Sequence, residues 1–213
     1  MKKGKFIVFE GCDGSGKDKQ LEMLKPFLFE DTIFTREPGG NKISEEIRSL
    51  LMKHSSEGMS AETELLLFYA ARIQLLEGVI WPALDRGINV FSSRFSHSTV
   101  AFQIEGNQKP ELIPLLKQIE LHLLKEWKPD FSIIFDVPVS VAAERMKHRG
   151  GERTRFDDKP IDFHERVRQG YINSVKILGY NDIIVDGSPS EEEVHTVVLK
   201  ALEGVVSFKK PLS

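Results

Sequence analysis

The sequence predicts an α/β domain built on a parallel β-sheet with helices packed on both faces. Two observations carry that expectation. Short apolar runs at Phe6–Phe9, Ile33–Thr35, Ile88–Phe91, Phe131–Phe135 and Ile183–Val185 are dominated by β-branched and aromatic residues, the composition of strands buried on both faces. Between them lie stretches with helical periodicity, at about Lys17–Glu30, Ile43–His54, Ala61–Arg86, Pro110–Glu126, Val139–His148, Asp162–Leu178 and Ser190–Gly204. Alternation of this kind implies right-handed crossovers between parallel strands.

Each element has its own signal. The first strand meets Glu10 after only four apolar residues, too short a run for a signal peptide or a membrane span. The long third helix is closed by Asp-Arg-Gly at 85–87, and Lys-Pro-Asp at 128–130 leads into the fourth strand. Asp-Gly-Ser-Pro at 186–189 turns the chain before the last helix, whose acidic start at 191–193 suits the helix dipole. The stretch RGGERTRFDDKP at 149–160 is polar and rich in glycine and arginine, and it reads as a mobile lid within a single domain spanning 1–213.

Bulk composition narrows the function classes. Of 213 residues, 40% are hydrophobic and 29% charged, with a net charge of −3. That is an ordinary globular composition without a broad basic footprint for nucleic acid. Cys12 is the single cysteine, so no disulfide can form within the chain and a cytoplasmic setting is expected. The six histidines show no metal-ligand spacing.

The most informative segment follows the first strand. Gly11-Cys12-Asp13-Gly14-Ser15-Gly16-Lys17-Asp18 matches the pattern G-x-x-x-x-G-K and opens a helix. Glycines let successive amides point at one anion, the helix adds its positive end, and Lys17 reaches the outer phosphates as a point charge. The loop is thus expected to bind ATP. Its eighth position departs from the pattern. Asp18 stands where Ser or Thr would hold Mg²⁺ through a hydroxyl; a carboxylate is also a good hard ligand for that ion.

From Lys5 to about Glu203 the sequence resembles the bacterial thymidylate kinase family. The carriers are FIVFEGCDGSGK at the start, Thr35-Arg36-Glu37-Pro38-Gly39-Gly40, LLLFYAAR at Leu65–Arg72, and Ser93-Arg94-Phe95. They continue with the run Ser98–Gln103, Phe135-Asp136-Val137-Pro138 and the Arg149–Arg155 segment. The resemblance implies phosphorylation of dTMP to dTDP by Mg²⁺–ATP, a homodimer formed through long helices such as Ala61–Arg86, and a cis Glu37-Pro38 peptide. The fold it implies is the three-layer phosphate-loop kinase domain, and we expect strand order 2-3-1-4-5.

An acceptor of this class is already largely dianionic at neutral pH. Transfer to it needs charge neutralisation and alignment more than a general base, so several arginines should converge. Arg36, Arg72, Arg94, Arg149, Arg153 and Arg155 are the candidates. By resemblance, Phe68 stacks on thymine, Arg72 and Thr99 bond its polar edge, and Phe102 and Gln103 line the same pocket. Asp13 and Glu37 face the sugar and phosphate side, Arg94 bridges donor and acceptor phosphates, and Arg149, Arg153 and Arg155 close over ATP. Tyr171 approaches the acceptor. Plainer readings stand beside these. On spacing alone Phe68 is core, Arg72 a surface charge, the lid arginines a solvated loop and Cys12 an inert filler.

Several positions depart from the family pattern. Gly14 stands where some relatives carry arginine, Phe102 where tyrosine is common, and His97 where aspartate is frequent. Ser93 replaces the aspartate of the DR(Y/F) motif, so Asp18 and Ser93 form a reciprocal exchange that could face one Mg²⁺. These departures leave two alternatives open: a nucleotide-binding module with weak or no turnover, and a nucleoside monophosphate kinase of different base preference.

Overall fold

β1 (Phe6–Gly11) runs through the centre of the sheet with every residue buried. The computed structural model describes residues 3–55, 57–125, 127–149 and 154–209, with Arg149 described by its backbone alone. The remaining strands are β2 (Ile33–Arg36), β3 (Val90–Ser93), β4 (Phe131–Asp136) and β5 (Asp182–Asp186), all parallel, in the order β2-β3-β1-β4-β5. This is the expected order. Parallel register aligns the strands' carboxyl ends at one edge: Phe9 lies level with Ser93, and Gly11 with Phe135. Ligands of open α/β sheets bind beyond that edge.

Alternation along β1 divides the core. Ile7 and Phe9 face a cluster with Leu21, Leu24, Phe91, Phe135, Val194 and Val198, supplied in part by α1 (Lys17–Leu24) and α9 (Glu191–Leu202). Phe6 and Val8 face Leu75, Leu76, Ile80, Leu84 and Leu124 on the other side. The latter residues come from a nearly continuous helix, α3 (Ala61–Leu75), a π-helical stretch Leu76–Ile80 and α4 (Trp81–Asp85), and from α6 (Ile113–Leu124). By length and composition Ala61–Asp85 could cross a membrane, but its apolar stripe is what covers this face of the sheet.

The helix expected over Lys17–Glu30 stops at Leu24 and tightens into a 3-10 turn at Lys25–Phe27. Pro26 is the reason, since it cannot donate to the preceding turn. α2 (Lys42–Met52), α7 (Val139–Arg149) and α8 (Ile161–Leu178) lie close to their expected positions.

One helical element had no signal in the sequence. α5 (Ser96–Thr99) continues as a π-helix over Val100–Gly106. It is buried almost all round, so no polar stripe marks its period, and π winding departs from the 3.6-residue repeat. α8 presses against it at Gly170, where an added Cβ would lie 2.8 Å from Ala101 Cα. Close packing of α8 against α5 and its π-helical extension fixes one wall of the candidate site.

Candidate active site

The loop Gly11–Asp18 curls between β1 and α1 as its motif requires. Lys17 is 3% exposed, and its Nζ lies 3.8 Å from Asp13 Oδ1 and 3.5 Å from Asp18 Oδ2. Ser15 Oγ is buried with no hydrogen-bond partner among the described residues, an unsatisfied group of the kind a bound anion would complete. Gly14 has a φ of 82°, and a Cβ there would meet the Ala142 carbonyl oxygen of α7 at 2.4 Å. That contact explains why this chain cannot carry an arginine at the position in this conformation. Burial pushes the Cys12 thiol above its ordinary value, which keeps it an unreactive filler.

Beside the loop lies a cleft of about 720 Å³ bounded by Gly14–Gln20, Arg145, His148, Gly187 and Glu191. Arg145 donates to the carbonyls of Gly187 at 2.8 Å and Ser188 at 3.0 Å, tying α7 to the turn after β5. Sequence reasoning missed Arg145, because one arginine in an amphipathic helix carries no distinguishing spacing.

Asp18 and Ser93 touch. Ser93 Oγ donates to Asp18 Oδ1 at 2.5 Å. Burial works to raise the Asp18 pKa, but Lys17, the Ser93 hydrogen bond and Arg94 outweigh it and hold the carboxyl below the usual carboxylate range. A carboxylate and a hydroxyl, both hard oxygen donors, thus sit together at the phosphate end of the loop.

A second cavity, of about 210 Å³, opens on the other side of the loop. Asp13, Glu37, Phe68, Arg72, Arg94, Thr99, Phe102 and Gln103 all line it. These eight acceptor-side candidates are therefore gathered around one pocket, whereas Tyr171 does not line it and reaches it only through Arg94. Phe68 is half-buried and faces that pocket. Arg72 is 2% exposed. Its Nε donates to Glu37 Oε2 at 2.7 Å and its Nη2 to Thr99 Oγ1 at 3.2 Å, with the guanidinium over the Tyr69 and Phe95 rings. The peptide between Glu37 and Pro38 is cis.

Arg94 ties this pocket to the phosphate loop. Its Nη2 donates to Asp13 Oδ1 at 2.8 Å and its Nη1 to Ser98 Oγ at 3.1 Å and to the Tyr171 hydroxyl. Glu10 supports this corner from below, accepting from the Phe95 amide at 2.7 Å and Ser98 Oγ at 2.6 Å. Burial raises the Tyr171 pKa, so its hydroxyl stays protonated.

Not all candidate arginines converge. Arg36 turns away to Glu45, at 2.7 Å, on the exposed side of β2. Arg48 of α2 lines the pocket instead and donates to the Pro38 carbonyl at 3.0 Å; set among Glu45 and Glu46, it carries no distinguishing signal in the sequence. Arg155 sits on the acceptor side, bonded to Glu64 and the Leu51 carbonyl, rather than beside the phosphate loop. Arg153 and the side chain of Arg149 lie outside the described residues, as does part of the lid expected at 149–160. Among the described residues no group of three or more His, Cys, Asp or Glu could hold a metal.

Burial pushes the Glu37 carboxyl up to about 7 from 4.5, with Arg72 pulling the other way. Because this native pKa is raised, the ligand-free native state keeps a proton between pH 4.5 and 7 that the unfolded chain has released. Stability should therefore fall as pH rises through that window, by at most about 1.4 kcal/mol per unit from this group. Glu37→Gln should flatten that slope in urea melts; an unchanged slope would assign the effect elsewhere.

Comparison with known proteins agrees with this geometry. A family model described as thymidylate kinase matches residues 9–198. The thymidylate kinase of Nitrosomonas eutropha is 42% identical over 208 residues, covering 95% of this chain and 94% of the relative. That of Fervidobacterium nodosum is 40% identical over 199 residues, covering 92% and 96%. The crystal structure of thymidylate kinase from Ehrlichia chaffeensis superposes with a TM-score of 0.71 at 28% identity, covering 94% of this chain and 99% of that one.

Proposed function

This chain belongs to the thymidylate kinase family, and from that premise we propose how its residues divide the work. The enzyme phosphorylates dTMP to dTDP with ATP as donor. An acceptor phosphate oxygen attacks the terminal phosphorus of ATP, the bond to the bridging oxygen breaks, and ADP leaves. Lys17 and the amides of Gly11–Asp18 hold the donor phosphates. Arg94 carries this reading: one side chain bonds Asp13 of the phosphate loop and lines the acceptor pocket. It would neutralise both anions as they approach.

Phe68 and Phe102 would flank the base, with Arg72, Thr99 and Gln103 at its polar edge. Asp13 and Glu37 would face the sugar and phosphate side. Arg149 and Arg153 would add charge over ATP; the acceptor-side seat of Arg155 supports a different role for it. Asp18 and Ser93 fit Mg²⁺ by donor type, and the ion, when bound, would neutralise charge on the transferring phosphoryl group. We read the chain as one cytoplasmic domain, residues 1–213, acting without nucleic acid or membrane. Half-exposed Leu66 on α3 and exposed Leu121 on α6 support a homodimer through these helices. The alternative of a binding module without turnover is not favoured, because Lys17, Arg72 and Arg94 all remain in place.

The test is ADP release with dTMP, dUMP, dCMP, dGMP and thymidine in parallel. We expect dTMP to be turned over with the highest kcat/KM. Absence of turnover with every acceptor, while calorimetry still detects ATP binding, would overturn the reading.

A further inference from the structure

Glu64 is a buried carboxylate that the transfer chemistry does not use. It lies on α3, 4% exposed, behind Gln103 rather than on the surface of the acceptor pocket. Its Oε1 accepts from Arg155 Nη1 at 2.5 Å, and its Oε2 accepts from Gln103 Nε2 at 3.2 Å. Gln103 is 1% exposed and lines the pocket. Among the described residues its Oε1 accepts no hydrogen bond.

A carboxylate offers only acceptors, so it can face only the NH₂ end of a carboxamide. Glu64 therefore fixes the polarity of the Gln103 amide and leaves a carbonyl oxygen as the group it can offer a ligand. Arg155 makes that possible. A buried carboxylate without a partner would be strongly disfavoured, and the guanidinium supplies the partner. Arg155 is itself held by the Leu51 carbonyl at 2.5 Å, and its Nη2 is buried without a partner among the described residues. The next residue, Phe156, packs edge-on against Phe102 with ring centroids 5.5 Å apart and closes the apolar wall.

We propose that Glu64 is a positioning residue for base selection, orienting the Gln103 amide so that the pocket presents an acceptor to the imide N–H of the base. Thymine and uracil carry that donor; cytosine has a lone pair in its place and meets the acceptor repulsively. This inference rests on the pocket being the dTMP site.

The experiment measures Kd and kcat/KM for dTMP, dUMP and dCMP with Glu64→Gln, Gln103→Leu and the double variant. A glutamine at 64 can donate to Gln103 and release the amide to turn. The preference for dTMP over dCMP should then fall about tenfold or more, the scale of one mispaired buried hydrogen bond. The ratio of dTMP to dUMP should hold, since they differ only in a methyl group, and KM for ATP should hold too. Gln103→Leu should lose the same preference, and the double variant should lose no more than either single. If Glu64→Gln does not fold, Gln103→Leu alone decides: full discrimination against dCMP in that variant overturns the proposal. A purely structural role would weaken all three acceptors together, leave their ratios unchanged and overturn it as well. Failure of the wild-type protein to bind dTMP would instead reject the pocket assignment from which it starts.

Discussion

Arg94→Ala is expected to lower kcat for dTMP by about 10³-fold or more, the range seen when an arginine that neutralises a transferring phosphoryl group is removed. The guanidinium is 14% exposed and already oriented by Asp13, Ser98 and Tyr171, so little reorganisation is left for the moment of transfer. Burial works to lower its pKa, but Asp13, Tyr171 and Glu10 outweigh it and keep the group charged. The backbone at Arg94 has a φ of 73°, in the left-handed region, which disfavours a residue with a Cβ by roughly 1–2 kcal/mol. It is held there by its amide's bond to the Phe9 carbonyl at 2.8 Å and by Ser92 Oγ, which donates to the Arg94 carbonyl at 3.0 Å. Arg94→Gly should therefore melt higher than Arg94→Ala while being equally inactive. Turnover within tenfold of wild type in either variant would reject the bridging role.

The second large effect concerns the metal. Asp18→Ser leaves two hydroxyls where a carboxylate and a hydroxyl now share a 2.5 Å bond. It should weaken Mn²⁺ binding to the ATP-loaded protein by about tenfold or more, read by electron paramagnetic resonance, on the scale reported for perturbed metal shells. Ser93→Asp alone sets two carboxylates against each other, so one must take up a proton and the pair distorts. The double variant restores one carboxylate and one hydroxyl with their positions exchanged. Its Mn²⁺ affinity and turnover should exceed the sum of the single effects; simple additivity would mean that the two residues act independently.

Much of this site was readable along the chain because its parts are local. The phosphate loop needs only a strand, three glycines, a lysine and a helix in immediate succession, and each leaves a composition signal. Phe68 was harder, since helical spacing alone made it core; only the pocket opening beside it separates the two roles. The segment Ser96–Gly106 carried a family motif but no helical signal. Buried nearly all round and wound with a π period, it lacks the polar stripe by which a helix is recognised, although it carries Thr99, Phe102 and Gln103.

By itself the sequence determined the five strands and their parallel pairing, the loop Gly11–Asp18 and most of the candidates that line the pocket beside it. Tertiary structure decided which of them meet. Arg72 finds Thr99 across 27 residues, Asp18 finds Ser93 across 75, and Arg155 finds Glu64 across 91. It also exchanged Arg36 for Arg48 in the pocket and moved Arg155 from the expected donor side to the acceptor side. The physical reason is one of range. Backbone periodicity and turn chemistry act over a few residues, whereas the partner of a buried charge is chosen by whichever elements the packed sheet brings within hydrogen-bond distance.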